Sequence, residues 1–330
     1  MTDRDPVALN RRRVIGGAVA AGITLGVGRA TAQSSESPMR MVIGFPPGGS
    51  GDLFGRIVAE PLREELSRTV IVENKPGAGG ITAAVGFLRA PKDGSQVLLV
   101  SKSMAVMAPI SRASPPYNPL SDFQWIALLV TAPFVIAVSP ALPVTDLKSL
   151  IAYAKARPGK MSYGHAGLGT SVHLAAELMK DIAGIDVVHV PYPGSAGAIN
   201  DTIAGNVQFV VETTGTLLQF HKAGKLRIVA ALAEGREKLL PEISTAREAG
   251  YDVVADTSFL LALPLGTPRE VTDRIAKAVD RVMKRPFIQE RMQQIGFLAI
   301  TDSGPAHAQA YVASEVARWS PIVKKLGIAL

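Results

Sequence analysis

There is no cysteine among the 330 residues. That excludes disulfide staples, a thiolate nucleophile and any cysteine-based metal centre. Aromatic residues are scarce, at 5% of the chain, and the basic residues are dispersed. A nucleic-acid surface needs a basic stripe or stacking aromatics, so no nucleic-acid partner is expected. No lysine follows the first glycine-rich loop, which excludes a P-loop. No Gly-x-Gly-x-x-Gly stands at the first strand–helix turn, which argues against a dinucleotide site. No cofactor is expected. Beyond residue 32 no apolar run is long enough to span a bilayer.

The N-terminal segment has the composition of an export signal. Arg11, Arg12 and Arg13 precede an apolar run over 14–27, and Ala30-Thr31-Ala32 offers a small-residue cleavage site. Cleavage is expected after Ala32, placing the mature protein outside the cytoplasm. The paired arginines raise a twin-arginine route, but RRRVIG lacks the usual phenylalanine and leucine, so Sec and twin-arginine export both stay open. The formal charge of +7 overstates the mature chain, because residues 1–32 hold five basic and two acidic residues. About 298 residues then remain, enough for two lobes.

What the chain does have is a run of strand–glycine–helix turns. Residues 41–56 read MVIGFPPGGSGDLFGR: an apolar strand, a proline- and glycine-rich turn, then a helical pattern. Such a turn exposes unpaired backbone N–H groups at the positive end of a helix dipole, where an anion can be held. Asp52 sits where that anion would feel it. Three more loops share the design: 74–80 (NKPGAGG), 163–171 (YGHAGLGTS) and 190–195 (VPYPGS). In a parallel sheet all would lie at the carboxyl ends of strands, where ligands bind.

Around these loops, apolar runs alternate with helical patterns. Strands are predicted at 41–45, 69–73 and 96–101, with helices near 52–67 and 80–90, which implies a parallel sheet with crossover helices. Pro61 should kink the first helix or start a new turn. Prolines 109, 115, 116 and 119 mark a long irregular connection. Two strands follow at 125–130 and 134–138, then α/β units to residue 232, a strand at 259–263 and three C-terminal helices. Without a clear linker, an insertion of α/β units between two pieces of a first unit fits best, with chain crossings near 134–138 and 259–263.

Enzyme signatures are weak. GLGTSVH is not the Gly-x-Ser-x-Gly elbow of an α/β-hydrolase. Ser171 and His173, two apart on a helix, point different ways. His165 and His173 lack the HExxH zinc spacing, so no metal is expected, and His173 reads as packing beneath its loop. Glu212, at the end of a buried strand, reads equally as a cleft residue or an ordinary strand-end carboxylate.

Taken together, FPPGGSGD (45–52), VENKPGAGG (72–80), PPYNPLSDF (115–123), RPGKMSYGHAGLGTSVHLAAEL (157–178), VHVPYPGSAGAINDTIAGNVQF (188–209), KAGKLRIVA (222–230) and PLGTPREV (264–271) resemble the Bug receptors, the periplasmic solute-binding proteins of tripartite tricarboxylate transporters. The resemblance runs from about residue 40 to the C-terminus. It implies a type II periplasmic-binding-protein fold: two α/β lobes, joined by two crossing strands, with a ligand cleft between them. The lobes would be 39–134 plus 263–330, and 135–262. It implies no catalysis. The ligand, a small organic acid, would be held by backbone amides, hydroxyls and water.

The ligand-binding residues expected from the loops and the resemblance are Phe45, Pro46, Gly48, Gly49, Ser50, Gly51, Asp52, Ser101, Ser103, His165, Gly167, Gly169, Thr170, Ser171, Tyr192 and Glu212. The loop carrying Ser101 and Ser103 should face the cleft. Asp52 reads as a loop organiser, or as an acceptor for a ligand hydroxyl, amino group or water. His165 departs from the family's usual serine, Gln208 from a frequent aspartate, and Glu212-Thr213-Thr214 is more polar than usual. The expected partners are the acid and membrane transporter subunits, with the receptor a monomer. Two other readings compete: a ligand-sensing input protein for a membrane signalling partner, and an exported enzyme acting on a carboxylic acid.

Overall fold

A computed structural model describes residues 37–330; the export-signal segment lies outside the described residues. Strand β1 (Met39–Ile43), helix α1 (Ser50–Leu66), β2 (Val70–Asn74), a 3-10 turn (Ala78–Gly80), α2 (Ile81–Phe87) and β3 (Gln96–Ser101) open the fold. β1 pairs in parallel with both β2 and β3. β3 is buried along almost its whole length, as expected of a strand covered on both faces.

The chain continues through a π-helical turn (Ser103–Met107), α3 (Ala108–Ile110) and β4 (Phe123–Val138). Next come α4 (Leu147–Lys155), β5 (Ser162–His165), α5 (Ser171–Ala183), β6 (Val188–Pro191), α6 (Ser195–Ala204), β7 (Phe209–Thr213), α7 (Thr214–Lys222) and β8 (Arg227–Leu232). Strand β9 (Asp256–Pro264) leads to α8 (Arg269–Met283), α9 (Pro286–Gln294), the short β10 (Leu298–Ala299) and α10 (Pro305–Lys325).

Strand order is β2-β1-β3-β9-β4-β7-β5-β6, with β8 and β10 also pairing β4. Two parallel blocks, β2-β1-β3 and β7-β5-β6, are therefore joined through antiparallel β9 and β4. The two strands expected at 125–130 and 134–138 are one continuous strand. The first part of β4, Phe123 to Pro133, pairs with β9; from Phe134 to Val138 it pairs with β7 and β8. The proline at the junction interrupts the apolar run in sequence, yet it stands where β4 changes partners, so the strand loses little by its missing N–H. The return crossing is β9, whose residues Asp256 to Pro264 pair with that first part of β4.

α1 continues through Pro61 as one helix from Ser50 to Leu66. Pro61 is buried together with Phe54, Val58 and Leu62, and that packing offsets the lost hydrogen bond. The predicted loop after β3 is also helical: Ser103 opens the π turn. α4 begins with a capping box, in which Asp146 Oδ1 accepts the Ser149 N–H at 2.8 Å.

Between β3 and the π turn lies Lys102, a fully buried cation. It forms ion pairs with Asp256 of β9 and Glu315 of α10. Burial alone would push its pKa down, but the two carboxylates more than offset this and hold it at about 12. This triad ties a crossing strand to the C-terminal helix. Sequence reading singled out its neighbours Ser101 and Ser103 and passed over Lys102, because nothing local marks a partner 154 residues away.

Candidate functional site

Beside the crossing strands lies a cavity of about 470 Å³. Its walls come from both blocks of the fold. Phe45, Pro46, Gly48, Gly49, Ser50 and Gly51 reach it from the β1–α1 turn, and Ser101 and Ser103 from the end of β3. Thr170 and Ser171 reach it from the start of α5, and Glu212 from β7. The structure thus gathers most of the residues expected from the sequence. Four helices also begin at this wall: α1 after Gly49, α5 after Thr170, α6 after Gly194 and α7 after Thr213. In none of the four does the N-cap residue's own side chain bond into the first turn, although Ser103 Oγ takes the Ser171 N–H of α5. Their first turns supply N–H donors and the positive ends of four dipoles. No Lys, Arg or His lines the cavity among the described residues.

Five expected residues do not line it: Asp52, His165, Gly167, Gly169 and Tyr192. Each supports a wall from behind. Asp52 is 5% exposed and organises the first loop. Its Oδ2 accepts the Gly48 N–H and Arg56 Nε–H, both at 3.0 Å. Its Oδ1 accepts from Asn74 Nδ2 at 3.0 Å and pairs with Arg56 Nη2 at 3.0 Å. Asn74 Nδ2 also reaches the Phe45 carbonyl, at 3.1 Å. Burial pushes the Asp52 carboxyl up, but Arg56, Gly48 and Asn74 together hold it below the usual carboxylate value. Its charge is therefore neutralised behind the loop.

The second loop is held by neutral groups. The Gly167 carbonyl accepts from Thr170 Oγ1 at 2.7 Å and contacts His165 Nδ1 at 2.9 Å. The Gly169 N–H donates to His173 Nδ1 at 3.2 Å. Gly169 adopts φ +69°, and a Cβ there would lie 2.7 Å from Ser111 Oγ, so only glycine fits. His165 and His173 rings stand 4.4 Å apart, with His189 5.5 and 5.4 Å from them. Burial lowers the pKa of His165 to about 4 and of His173 to about 3. Nitrogen atoms of the three rings lie within 4.8 Å of one another, near enough to consider a metal ion. The Gly169 N–H, however, occupies the Nδ1 lone pair of His173. Its ring proton then sits on Nε2, which leaves that histidine no lone pair for a cation. His165 and His173, kept neutral by burial, pack under the loop.

Tyr192 turns away because its hydroxyl donates to Asp201; its ring lies against Gly197, where a Cβ would come within 2.7 Å. The next residues, Pro193, Gly194 and Ser195, reach the cavity instead. Ser103 and Ser171 meet across the wall: the Ser171 N–H donates to Ser103 Oγ at 2.9 Å, and the two hydroxyls lie 3.0 Å apart.

Lining residues that sequence reading missed include Ser195, Thr216, Gln219, Phe220 and Phe259. The quoted loop 190–195 already contained Ser195, and the polar run after Glu212 could have pointed to α7. A second cavity, about 540 Å³, is lined instead by charged groups including Glu234, Arg236, Glu237 and Lys238.

A family model, that of the tripartite tricarboxylate transporter family receptor, matches residues 54–328. The chain belongs to this receptor family. Protein BugT of Bordetella pertussis is 31% identical over 295 residues, covering 89% of this chain and 90% of BugT. Among solved structures, the periplasmic binding protein BugD is 32% identical, with a TM-score of 0.85, over 89% of this chain and 99% of BugD. An R. palustris protein, Rpa4515, with adipate, is 28% identical with a TM-score of 0.86, over 90% of this chain and all of the other. The receptor therefore has a periplasmic-binding-protein fold of two α/β lobes. No helix among its described residues is long and apolar enough to cross a membrane.

Proposed function

We propose that this receptor captures a small organic acid between its two lobes in the periplasm and presents it to the membrane subunits of a tripartite tricarboxylate-type transporter, without catalysis. The observation that carries this is the cavity itself: four helix N-termini and several hydroxyls converge on a space with no lining cation. Amides of that kind can hold a carboxylate, as helix N-termini do elsewhere, and still release it. The adipate in the related structure supports the same ligand class.

In this reading the carboxylate lies against the first turns of α1 and α5, near Gly49, Ser50, Gly51, Thr170 and Ser171. Residues 39–134 and 263–330 form one lobe and 135–262 the other, with β4 and β9 as the crossings. Asp52, His165, Gly167, Gly169 and Tyr192 shape the walls rather than touch the acid.

A thermal-shift screen against carboxylic acids tests the proposal. At a ligand concentration 100 times Kd, binding stabilises the folded state by about 2.7 kcal/mol, a readily measured rise in midpoint. If neutral sugars or metal cations raise the midpoint and no acid does, the proposal fails.

A further inference from the structure

The carboxylate cavity contains a single ionisable side chain among its described lining residues, and that side chain is itself an acid. Glu212 is 5% exposed. Its Oε1 accepts the Thr213 N–H at 2.8 Å and its Oε2 accepts from the Ser195 hydroxyl. Its donors all come from Ser195 and from the backbone and side chain of Thr213, fewer than the roughly four acceptor sites of a carboxylate. No cation pairs with Glu212 among the described ion pairs. Burial pushes its carboxyl above the usual carboxylate value, and the Ser195 and Thr213 hydrogen bonds offset this only in part. A buried carboxylate with hydroxyl and amide partners but no counter-ion is a costly thing to keep in a binding cavity.

The rest of the cavity says where a counter-ion would fit. Amide donors from the β1–α1 turn belong to the block opposite β7, the strand that carries Glu212. Phe45, Phe134, Phe220 and Phe259 supply apolar surface. The space therefore offers N–H donors from one block, an acceptor on the other, and apolar walls.

We infer that the acid bound here is a monocarboxylate that also carries an ammonium group, with its carboxylate on the helix starts and its ammonium on Glu212. This rests on the carboxylate reading of the cavity and names a narrower ligand class. A dicarboxylate would bring a second negative charge towards Glu212. A plain alkanoate would leave Glu212 desolvated and unpaired.

Calorimetric titration of the full chain with matched acids tests this. The probes are butanoate, pentanoate and hexanoate; their amino derivatives substituted at the α or the terminal carbon; and succinate, glutarate and adipate. For at least one chain length, an amino acid should bind about 10- to 100-fold tighter than the matching alkanoate and diacid, the range expected of a hydrogen bond to a charged group. Glu212→Gln keeps the shape, an acceptor for the Thr213 N–H and a polar partner for Ser195. It should erase that preference and improve diacid binding. If alkanoates or diacids match the amino acids at every length, or if Glu212→Gln keeps the preference, the inference is overturned while the carboxylate reading stands. If no acid of any class binds, the carboxylate reading falls and this inference with it.

Discussion

Two glycine-rich loops contribute to the same cavity, and they are held in opposite ways. The β1–α1 loop rests on charge: Asp52, Arg56 and Asn74 lock Gly48 and the Phe45 carbonyl. The β5–α5 loop rests on neutral rings: His165 and His173, uncharged because they are buried, contact the Gly167 carbonyl and accept the Gly169 N–H. Similar backbone tasks thus have supports with different pH responses. Charge paired behind a loop survives mild acid; a buried neutral imidazole does not, because acid drives it to take up a proton it has no room to solvate.

The largest effect should come from extending the charged design to its most buried member. Lys102→Met leaves Asp256 and Glu315 without their cation, and breaking a buried pair from one side costs about 3–5 kcal/mol. Urea unfolding measures it, and a loss under about 1 kcal/mol would show that these carboxylates do not need Lys102. The lysine's pKa lies above its unfolded value. Its contribution is therefore complete below pH 10.5 and is lost as pH rises through about 12.

Mild acid should separate the two loops next. The folded values of His165 and His173, about 4 and about 3, lie below the ordinary 6.5. Their share of stability is complete above pH 6.5 and drains as pH falls towards 4, a loss of about 2.6 kcal/mol from each histidine by pH 4.5. Asp52 behaves otherwise: its folded value lies below 3.8, so its share persists until pH drops under 3.8. As pH drops from 7 to 4.5, the denaturation midpoint should fall further in the wild type than in a His165→Gln, His173→Gln double variant. Equal slopes in the two proteins would remove the histidines from the account.

Asp52→Ala tests the charged loop directly. It strands the Gly48 N–H and the Asn74 amide, for a destabilisation of about 2 kcal/mol, and should weaken acid binding while leaving the slope between pH 6.5 and 4.5 intact. Unchanged affinity for every acid would separate this network from the site. The smallest effect belongs to Thr170→Val, which removes one hydrogen bond to the Gly167 carbonyl at about 1 kcal/mol. It should lower acid affinity several-fold in a titration without unfolding the protein; full affinity would take the Thr170 hydroxyl out of the binding wall.

Much of this architecture was legible because it is periodic and local. β3 matched its predicted span residue for residue, since an unbroken apolar run carries its own signal. The single strand β4 was misread as two because Pro133 is a breaker in sequence, and only the change of partners along the strand shows why it is tolerated. At the site, the turns were visible and the directions of side chains were not. His165, Asp52 and Tyr192 lie in the right loops but face away, each towards a partner more distant in sequence or across a turn. Lys102 was invisible for the same reason: its meaning resides in two carboxylates far along the chain.

One close approach decides how α7 sits against the segment after α9. A Cβ on Gly215, at the start of α7, would lie 1.7 Å from the Ile295 carbonyl oxygen beyond α9. Main chain rests on main chain here, with no side chain between to bend or swing aside. Such a stop is hard. Any side chain at 215 would have to push the two main chains apart, so the seating of α7 against the segment after α9 depends on the absence of one.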